Sequence, residues 1–202
     1  VMIILVAGAM FFLGGVALWM FGAAAGAALL SLPIAWELMH DYQRSRVLTF
    51  LNPESDPLGT GYHIMQSKIA LGSGGVFGKG YLQGTQSHLD FLPEKHTDFI
   101  FTLIAEEWGL IGSLFLLGLY ALVVVYGFWM STRIQHRFGK LLILGITINF
   151  GLYAMINTAM VMGLIPVVGV PLGLISYGGT AMMAVVVGFG MAALAHIFRG
   201  GK

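Results

Sequence analysis

The chain has 202 residues, of which 57% are hydrophobic and only 9% are charged, and its mean hydropathy is +0.86. Soluble domains carry about 25% charged residues, so this composition excludes an ordinary soluble domain and indicates a membrane protein. A formal net charge of +1 gives no reason to expect nucleic acid as a partner, and the absence of cysteine excludes disulfides and thiolate metal sites within this sequence.

Five apolar segments are long enough, or nearly so, to cross about 30 Å of hydrocarbon, which takes roughly 20 helical residues. They cover residues 1–20, 22–39, 99–130, 139–163 and 173–198. The sequence therefore predicts an all-α, polytopic membrane helix bundle, with two spans in 1–39 and three in 99–202. We expect Pro33 to kink the second span. The chain starts inside a hydrophobic run without a basic n-region, which is typical of a piece of a longer membrane protein and not of a signal peptide.

Basic residues in the short loops predict the orientation. Residues 131–140 contain three Lys or Arg residues and no acid, and the C-terminal tail contains Arg199 and Lys202. Both are predicted to be cytoplasmic, which places residues 40–98 on the external face as one large loop. Near residues 164–176, Gly and Pro interrupt the apolar sequence, and such backbone needs protein or a water-filled cavity around it. We expect a re-entrant external loop there.

The acids are confined to one part of the chain. All nine Asp and Glu residues lie between Glu37 and Glu107. Ionisable groups inside hydrocarbon cost several kcal/mol each. A membrane protein that collects them in one inter-helical segment is therefore predicted to carry out its chemistry at the bilayer surface.

The external segment contains one helical pattern and one glycine-rich run. Leu58, Tyr62, Met65 and Ile69 have helical spacing, which predicts a short amphipathic helix at the interface or, equally, a helix packed on its own loop. The run Gly72 to Gly80 fails the Walker pattern, because Ser73 and Gly80 stand where Gly and Ser or Thr are required. It could still hold a pyrophosphate with its N–H groups and Lys79, or it is a structural loop.

Asp98 opens the third span, where a carboxylate meets the positive end of the helix dipole. It is either a catalytic acid at the mouth of the bundle or a simple helix cap, since Thr97 and Asp98 both suit a helix start. Glu106 and Glu107 lie further along the same span. Either one of them faces the site, or they pair structurally with Arg44, Arg46 or Lys68, which is the favoured interpretation. The external histidines lack the spacing of a helical zinc site.

Two groups of motifs carry a family resemblance. The first runs from Asn157 to Ala181 and includes Gly163-Leu-Ile-Pro166, Gly169-Val170 and Leu174-Ile-Ser-Tyr-Gly-Gly-Thr-Ala181. The second comprises His40-Asp-Tyr-Gln-Arg44, Asp56-Pro-Leu-Gly-Thr-Gly-Tyr-His63, Gln66-Ser-Lys-Ile-Ala70 and Phe91-Leu-Pro-Glu-Lys-His-Thr-Asp-Phe-Ile-Phe101. The whole chain resembles the SEDS family (shape, elongation, division and sporulation), and its RodA branch more than its FtsW branch. Gly173 replaces a common Pro, and Asp90 stands where Glu is usual.

The resemblance implies a glycosyltransferase of about ten spans, about five of them here, in the cytoplasmic (inner) membrane. It implies polymerisation of lipid II, an undecaprenyl-pyrophosphate-linked disaccharide peptide, into glycan strands on the external face for cell elongation and rod shape. The implied partner is a class B penicillin-binding protein that cross-links the strands. The essential Asp of the family falls on Asp98.

Glycosyl transfer from a pyrophosphate requires a base for the acceptor hydroxyl and positive charge on the leaving group. Asp98 suits the first role, or it could hold a divalent cation, Mg or Mn, although the sequence makes no cofactor certain. The candidate substrate-binding residues are Lys68, Lys79, Arg44, Arg46, Asp90 and Glu106.

Two other functions stay open at this point. A flippase of the same precursor predicts ionisable residues deep in the spans, and the spans outside residues 37–107 contain no acid. A non-catalytic scaffold of the elongation complex would need no acid at the external mouth.

Overall fold

A computed structural model of the chain describes residues 2–52, 56, 59–84 and 97–197. These residues form seven helices and no strand. The helices are α1 (Met2–Leu13), α2 (Leu18–Leu38), α3 (Asp41–Leu51), α4 (Thr60–Ser73), α5 (Ile100–Thr132), α6 (Arg137–Val161) and α7 (Gly179–Ile197).

Within the described part of the chain, four helices are long and apolar enough to cross a membrane, namely α2, α5, α6 and α7. The predicted all-α membrane bundle is confirmed. The helix α1 has 12 residues, about 18 Å at 1.5 Å per residue, which is shorter than a membrane span. The predicted span 1–20 is interrupted, because α1 ends at Leu13 and α2 begins at Leu18. Pro33 lies inside α2 and does not end it.

The helix α6 is the centre of the bundle, since it packs against α1, α4, α5 and α7. The largest core cluster is aromatic and aliphatic, with Phe101, Phe150, Met160 and Leu172 among its buried members. The ring of Tyr120 stacks on Phe150 with 5.1 Å between centroids, and its hydroxyl donates a hydrogen bond to the carbonyl of Gly173. The core therefore joins α5 and α6 to the segment that follows α6.

The predicted helix in the external segment is present as α4, and its predicted apolar stripe, which was to be buried or lipid-facing, does not face the bundle. Met65 and Ile69 are exposed, and Ile64, Ser67 and Ala70 are buried. The hydroxyl of Ser67 donates to the carbonyl of Val161 at 2.8 Å. The buried face combines one large apolar side chain, Ile64, with the small residues Ser67 and Ala70, which let α4 approach its neighbours closely. Leu58 lies outside the described residues.

The helix α5 is broken at Gly109, whose φ of 67° and ψ of −160° are not helical. The break opens the two helical bonds that Leu110 and Ile111 would donate to Glu106 and Glu107. Residues 74–80, which we call the glycine loop, provide new hydrogen-bond partners for these peptide groups. The N–H groups of Leu110 and Ile111 donate to the carbonyls of residues 75 and 76, and the carbonyls of Glu106 and Glu107 accept from residues 79 and 80, at 2.9–3.2 Å. The loop thus satisfies the broken backbone.

Candidate functional site

Asp98 lies in a turn of residues 97–99, which we call the Asp98 turn, immediately before α5. The N-cap of α5 is Phe99, whose side chain makes no capping bond. The carbonyl of Phe99 is the acceptor for the N–H groups of Thr102 and Leu103. Asp98 is therefore outside the hydrogen-bonded helix but next to its N-terminal end, where the helix dipole favours negative charge.

The Asp98 carboxylate lies against residues 162–178, which we call the α6–α7 loop. A β-carbon at Gly169 would lie 3.4 Å from Oδ2 of Asp98, and Gly169 has a φ of 68°. At Gly169 the loop presents no side chain to the carboxylate, and the backbone there has a conformation that favours glycine. The Gly/Pro-broken segment and the acid, which are distant in sequence, therefore lie next to each other.

Two buried polar side chains connect the Asp98 turn to the rest of the bundle. The Nδ2 atom of Asn157, on α6, donates to the carbonyl of Asp98 and to the carbonyl of Val170, both at 2.7 Å. The hydroxyl of Ser176, in the α6–α7 loop, donates to the carbonyl of Thr97, also at 2.7 Å. Both consecutive carbonyls before the N-cap are thus occupied by side-chain donors from other elements.

Two of the predicted cationic residues reach the α6–α7 loop. Nη1 of Arg46 donates to the carbonyl of Val167 at 2.8 Å, and its guanidinium lies over the ring of Tyr42, 4.6 Å from the centroid. The side chain of the exposed Lys68 lies against Gly163. A β-carbon placed on that glycine would lie 2.7 Å from Nζ of Lys68. The structure therefore brings Arg46 and Lys68 to the loop that contacts Asp98.

The other two predicted cations lie elsewhere. Arg44 donates to the carbonyls of Trp36 and Glu37 at 2.9 and 2.7 Å, so it binds the last carbonyls of α2 as a cation at a helix C-terminus does. Lys79 forms an ion pair with Glu106, with 2.7 Å between Nζ and Oε1.

The ion pair corrects the partner that we predicted for Glu106, which was Arg44, Arg46 or Lys68. The physical reason is the break in α5, which brings the glycine loop and its lysine directly onto Glu106. The N–H groups of Gly78, Lys79 and Gly80 are also bonded to carbonyls. This geometry favours the structural interpretation of the glycine-rich run over a pyrophosphate loop.

Some side chains near Asp98 were not assigned a role from the sequence. Asn157 and Ser176 belong to the Gly/Pro-broken motif, and their inclusion there is the signal that could have identified them. His63, on α4, lies with its ring centroid 6.3 Å from that of Phe99. Its Nδ1 is buried and has no hydrogen-bond partner among the described residues.

The predicted substrate-binding residue Asp90 lies outside the described residues, as do His88 and His96. Among residues 2–52, 56, 59–84 and 97–197, no group of three His, Asp or Glu side chains converges as metal ligands would. The described residues therefore do not by themselves form a cation site at Asp98. A divalent cation there stays a prediction, and no chemical step is derived through it.

The sequence and the fold were both compared with known proteins. The family model of the FtsW, RodA and SpoVE cell cycle proteins matches residues 1–200. The chain belongs to this family. It is 52% identical over 189 residues to the peptidoglycan glycosyltransferase MrdB of Escherichia coli K12, covering 93% of the chain and 51% of that relative. It is 42% identical over 175 residues to the peptidoglycan glycosyltransferase RodA of Treponema pallidum, covering 87% of the chain and 40% of that relative.

A solved structure of a peptidoglycan synthase complex, described in terms of coordinated polymerisation and crosslinking, contains a similar chain. The TM-score is 0.83 at 28% identity, over 100% of this chain and 55% of that one. The chain therefore spans about half the length of the relatives that it matches. The apolar helices and the family together show that this member of the FtsW/RodA/SpoVE family is a multi-pass membrane protein.

Proposed function

We propose that the chain carries the catalytic part of a peptidoglycan glycosyltransferase that polymerises lipid II at the external face of the inner membrane. The observation that carries this proposal is the construction of the Asp98 turn. An acid at the start of a membrane-spanning helix has its own carbonyl and the preceding one bonded by Asn157 and Ser176. Relatives that the chain matches over 51% and 40% of their length are named as peptidoglycan glycosyltransferases.

In the proposed reaction, the hydroxyl oxygen of the acceptor sugar forms a bond to the anomeric carbon of the donor sugar. The bond between that carbon and the pyrophosphate oxygen breaks, and the electron pair leaves with the pyrophosphate. Asp98 accepts the proton of the hydroxyl as general base. A carboxylate with an ordinary pKa near 3.9 is a weak base, so correct placement of the carboxylate against the hydroxyl must supply much of its effect.

The leaving pyrophosphate requires positive charge, and we assign this role to Arg46 and Lys68. Their side chains, from α3 and α4, contact the α6–α7 loop, which also contacts Asp98. Arg44 binds carbonyls at the end of α2, and Lys79 pairs with Glu106 beside the break in α5. None of these contacts among the described residues brings either of them to the α6–α7 loop, and we give them structural roles. Phosphate groups are bound by arginine in fork geometry and by lysine as a point charge.

The partner that we propose is a class B penicillin-binding protein, since a similar chain occurs in a complex of polymerisation and crosslinking. The complete polypeptide is expected to supply the second half of the substrate cavity. Among the described residues, α2 has no buried residue, so a largely apolar helix surface is available to lipid or to that second half.

The decisive experiment replaces Asp98 by Asn in the complete polypeptide with its crosslinking partner and measures polymer made from purified lipid II. The change keeps size and shape and removes the charge, so polymer synthesis should fall by about 10²–10⁴-fold, as for other general bases. The matched control is Asp41→Asn, which makes the same change in the first turn of α3 and should leave synthesis unchanged.

The alternative functions give different results in the same experiment. Near-normal polymer from purified Asp98→Asn contradicts the assignment of Asp98. Loss of the partner complex together with activity favours a scaffold. Transport of the lipid-linked precursor by the wild type, without any polymer, favours a flippase.

A further inference from the structure

Asn157 is fully buried, with none of its surface exposed. Its side-chain amide donates both of its hydrogens to backbone carbonyls. One carbonyl belongs to Asp98 and the other to Val170, each at 2.7 Å. A single amide group on α6 therefore joins the Asp98 turn to the α6–α7 loop. Its Oδ1 has no hydrogen-bond partner among the described residues, so the two donor bonds are what this buried side chain contributes.

Ser176 makes an independent connection to the same turn. Its hydroxyl donates to the carbonyl of Thr97 and accepts from the N–H of Leu172, both at 2.7 Å. Ser176 is 7% exposed. The carbonyls of Thr97 and Asp98 point to these two side chains, and Phe99 provides the first carbonyl that accepts from an N–H within α5. Two fixed carbonyls determine the peptide planes on both sides of the Asp98 α-carbon, and with them the direction of the Cα–Cβ bond that carries the carboxylate.

We propose that Asn157 and Ser176 are positioning residues for Asp98, a role that rests on the proposed function. They are buried and act through the backbone of the turn, not through contact with lipid II. Misplacing a catalytic group by about 1 Å can cost about 100-fold in rate. Losing the donors should therefore lower kcat, while KM, which reports uniform substrate binding, should be unchanged.

The test uses the complete polypeptide with its partner and measures kcat and KM for lipid II. Asn157→Leu keeps the volume and removes both donor bonds, so we expect kcat per folded molecule to fall by about 100-fold with KM within about twofold of wild type. Ser176→Ala removes the bond to Thr97 and the bond from the N–H of Leu172, but it leaves the Asp98 carbonyl bonded to Asn157, so it should change kcat in the same direction by a smaller factor. Ser176→Ala also decides the question if Asn157→Leu does not fold.

Thr158→Val is the matched control, because Thr158 is the next residue on α6 and its buried hydroxyl bonds to nothing among the described residues. It should have wild-type kcat and KM. If Asn157→Leu and Ser176→Ala both have wild-type kcat while Asp98→Asn is inactive, the positioning role is overturned and the proposed function stands. Raised KM with unchanged kcat would also overturn it, because it would indicate substrate contact. Full activity in Asp98→Asn would overturn the role of Asp98 and the positioning role together.

Discussion

Lys79 forms an ion pair with Glu106 beside the break in α5. The carboxylate of Glu106 is fully buried, and its Oε1 lies 2.7 Å from Nζ of Lys79. The same two residues are also joined through their backbones, since the N–H of Lys79 donates to the carbonyl of Glu106 at 3.0 Å. The lysine that the sequence offered for pyrophosphate binding is thus part of the support for the helix that begins at the Asp98 turn.

We expect Lys79→Met to destabilise the protein, because it leaves a buried carboxylate without its lysine. Loss of one partner from a buried ion pair typically costs about 3–5 kcal/mol, and removal of the charge on both sides restores much of it. The double variant Lys79→Met with Glu106→Gln should therefore be more stable than Lys79→Met alone. Thermal unfolding in detergent of the two single variants and the double variant measures this. Unchanged stability with reduced polymerisation would instead assign Lys79 to the substrate.

Gly109→Ala should be strongly destabilising. A β-carbon there would lie 2.3 Å from the N atom of Gly78 and 2.6 Å from the carbonyl oxygen of Val76, and the backbone conformation of Gly109 is nearly exclusive to glycine. Forced backbone of this kind costs on the order of 1–3 kcal/mol before the clash is counted.

The control for that change is Gly118→Ala in the same helix, where a β-carbon would meet nothing within 4 Å. It should be neutral or stabilise the protein by up to about 1 kcal/mol, because alanine is the better helix former. Equal unfolding temperatures for the two variants would mean that the glycine loop does not contact the break.

On α4, we expect Ala70→Leu to be far more damaging than Ile69→Ala. Ala70 is fully buried and Ile69 is 49% exposed. Overpacking a tight contact costs about 1–3 kcal/mol, whereas exposed substitutions usually change stability by less than about 0.5 kcal/mol. Size-exclusion profiles and melting curves of the two variants would show which face of α4 packs on the bundle. The reverse order of stability would contradict the packing of the Ala70 face against the bundle.

The orientation in the membrane is testable by cysteine labelling, since the chain has no cysteine of its own. A cysteine at position 136, in the short connection between α5 and α6, should be protected from an impermeant reagent in intact cells, and one at position 56 should react. The basis is the acid-free basic loop near residues 131–140. Labelling at 136 and protection at 56 would invert the predicted topology.

The sequence was sufficient for the features that depend on composition and on long periodic segments. Apolar length predicted both ends of α5 and α6 to within two residues, and it predicted the start of α7 six residues too early. Gly and Pro predicted the non-helical α6–α7 loop. These features are local, so each could be recognised without knowing what packs against it.

The following features could not be predicted from the sequence, because they depend on contacts between distant segments. The face of α4 is selected by close approach to α5 and α6, and Ser67 is buried because it bonds to Val161. The partner of Glu106 follows from the break at Gly109, and a single glycine within a long apolar run does not signal a break. Asn157 stood in the motif without a role, because nothing in its own neighbourhood shows which carbonyls its amide reaches.

The repair of the broken helix has a consequence for biogenesis. Translation makes residues 75–80 before residues 106–111, so the peptide groups that complete the break exist before α5 leaves the ribosome. An unsatisfied peptide group in hydrocarbon costs several kcal/mol, and the break opens four of them, at residues 106, 107, 110 and 111. The partners for these four groups are therefore already synthesised when α5 enters the membrane. Moving the glycine loop to a position after α5 in the sequence would remove this advantage.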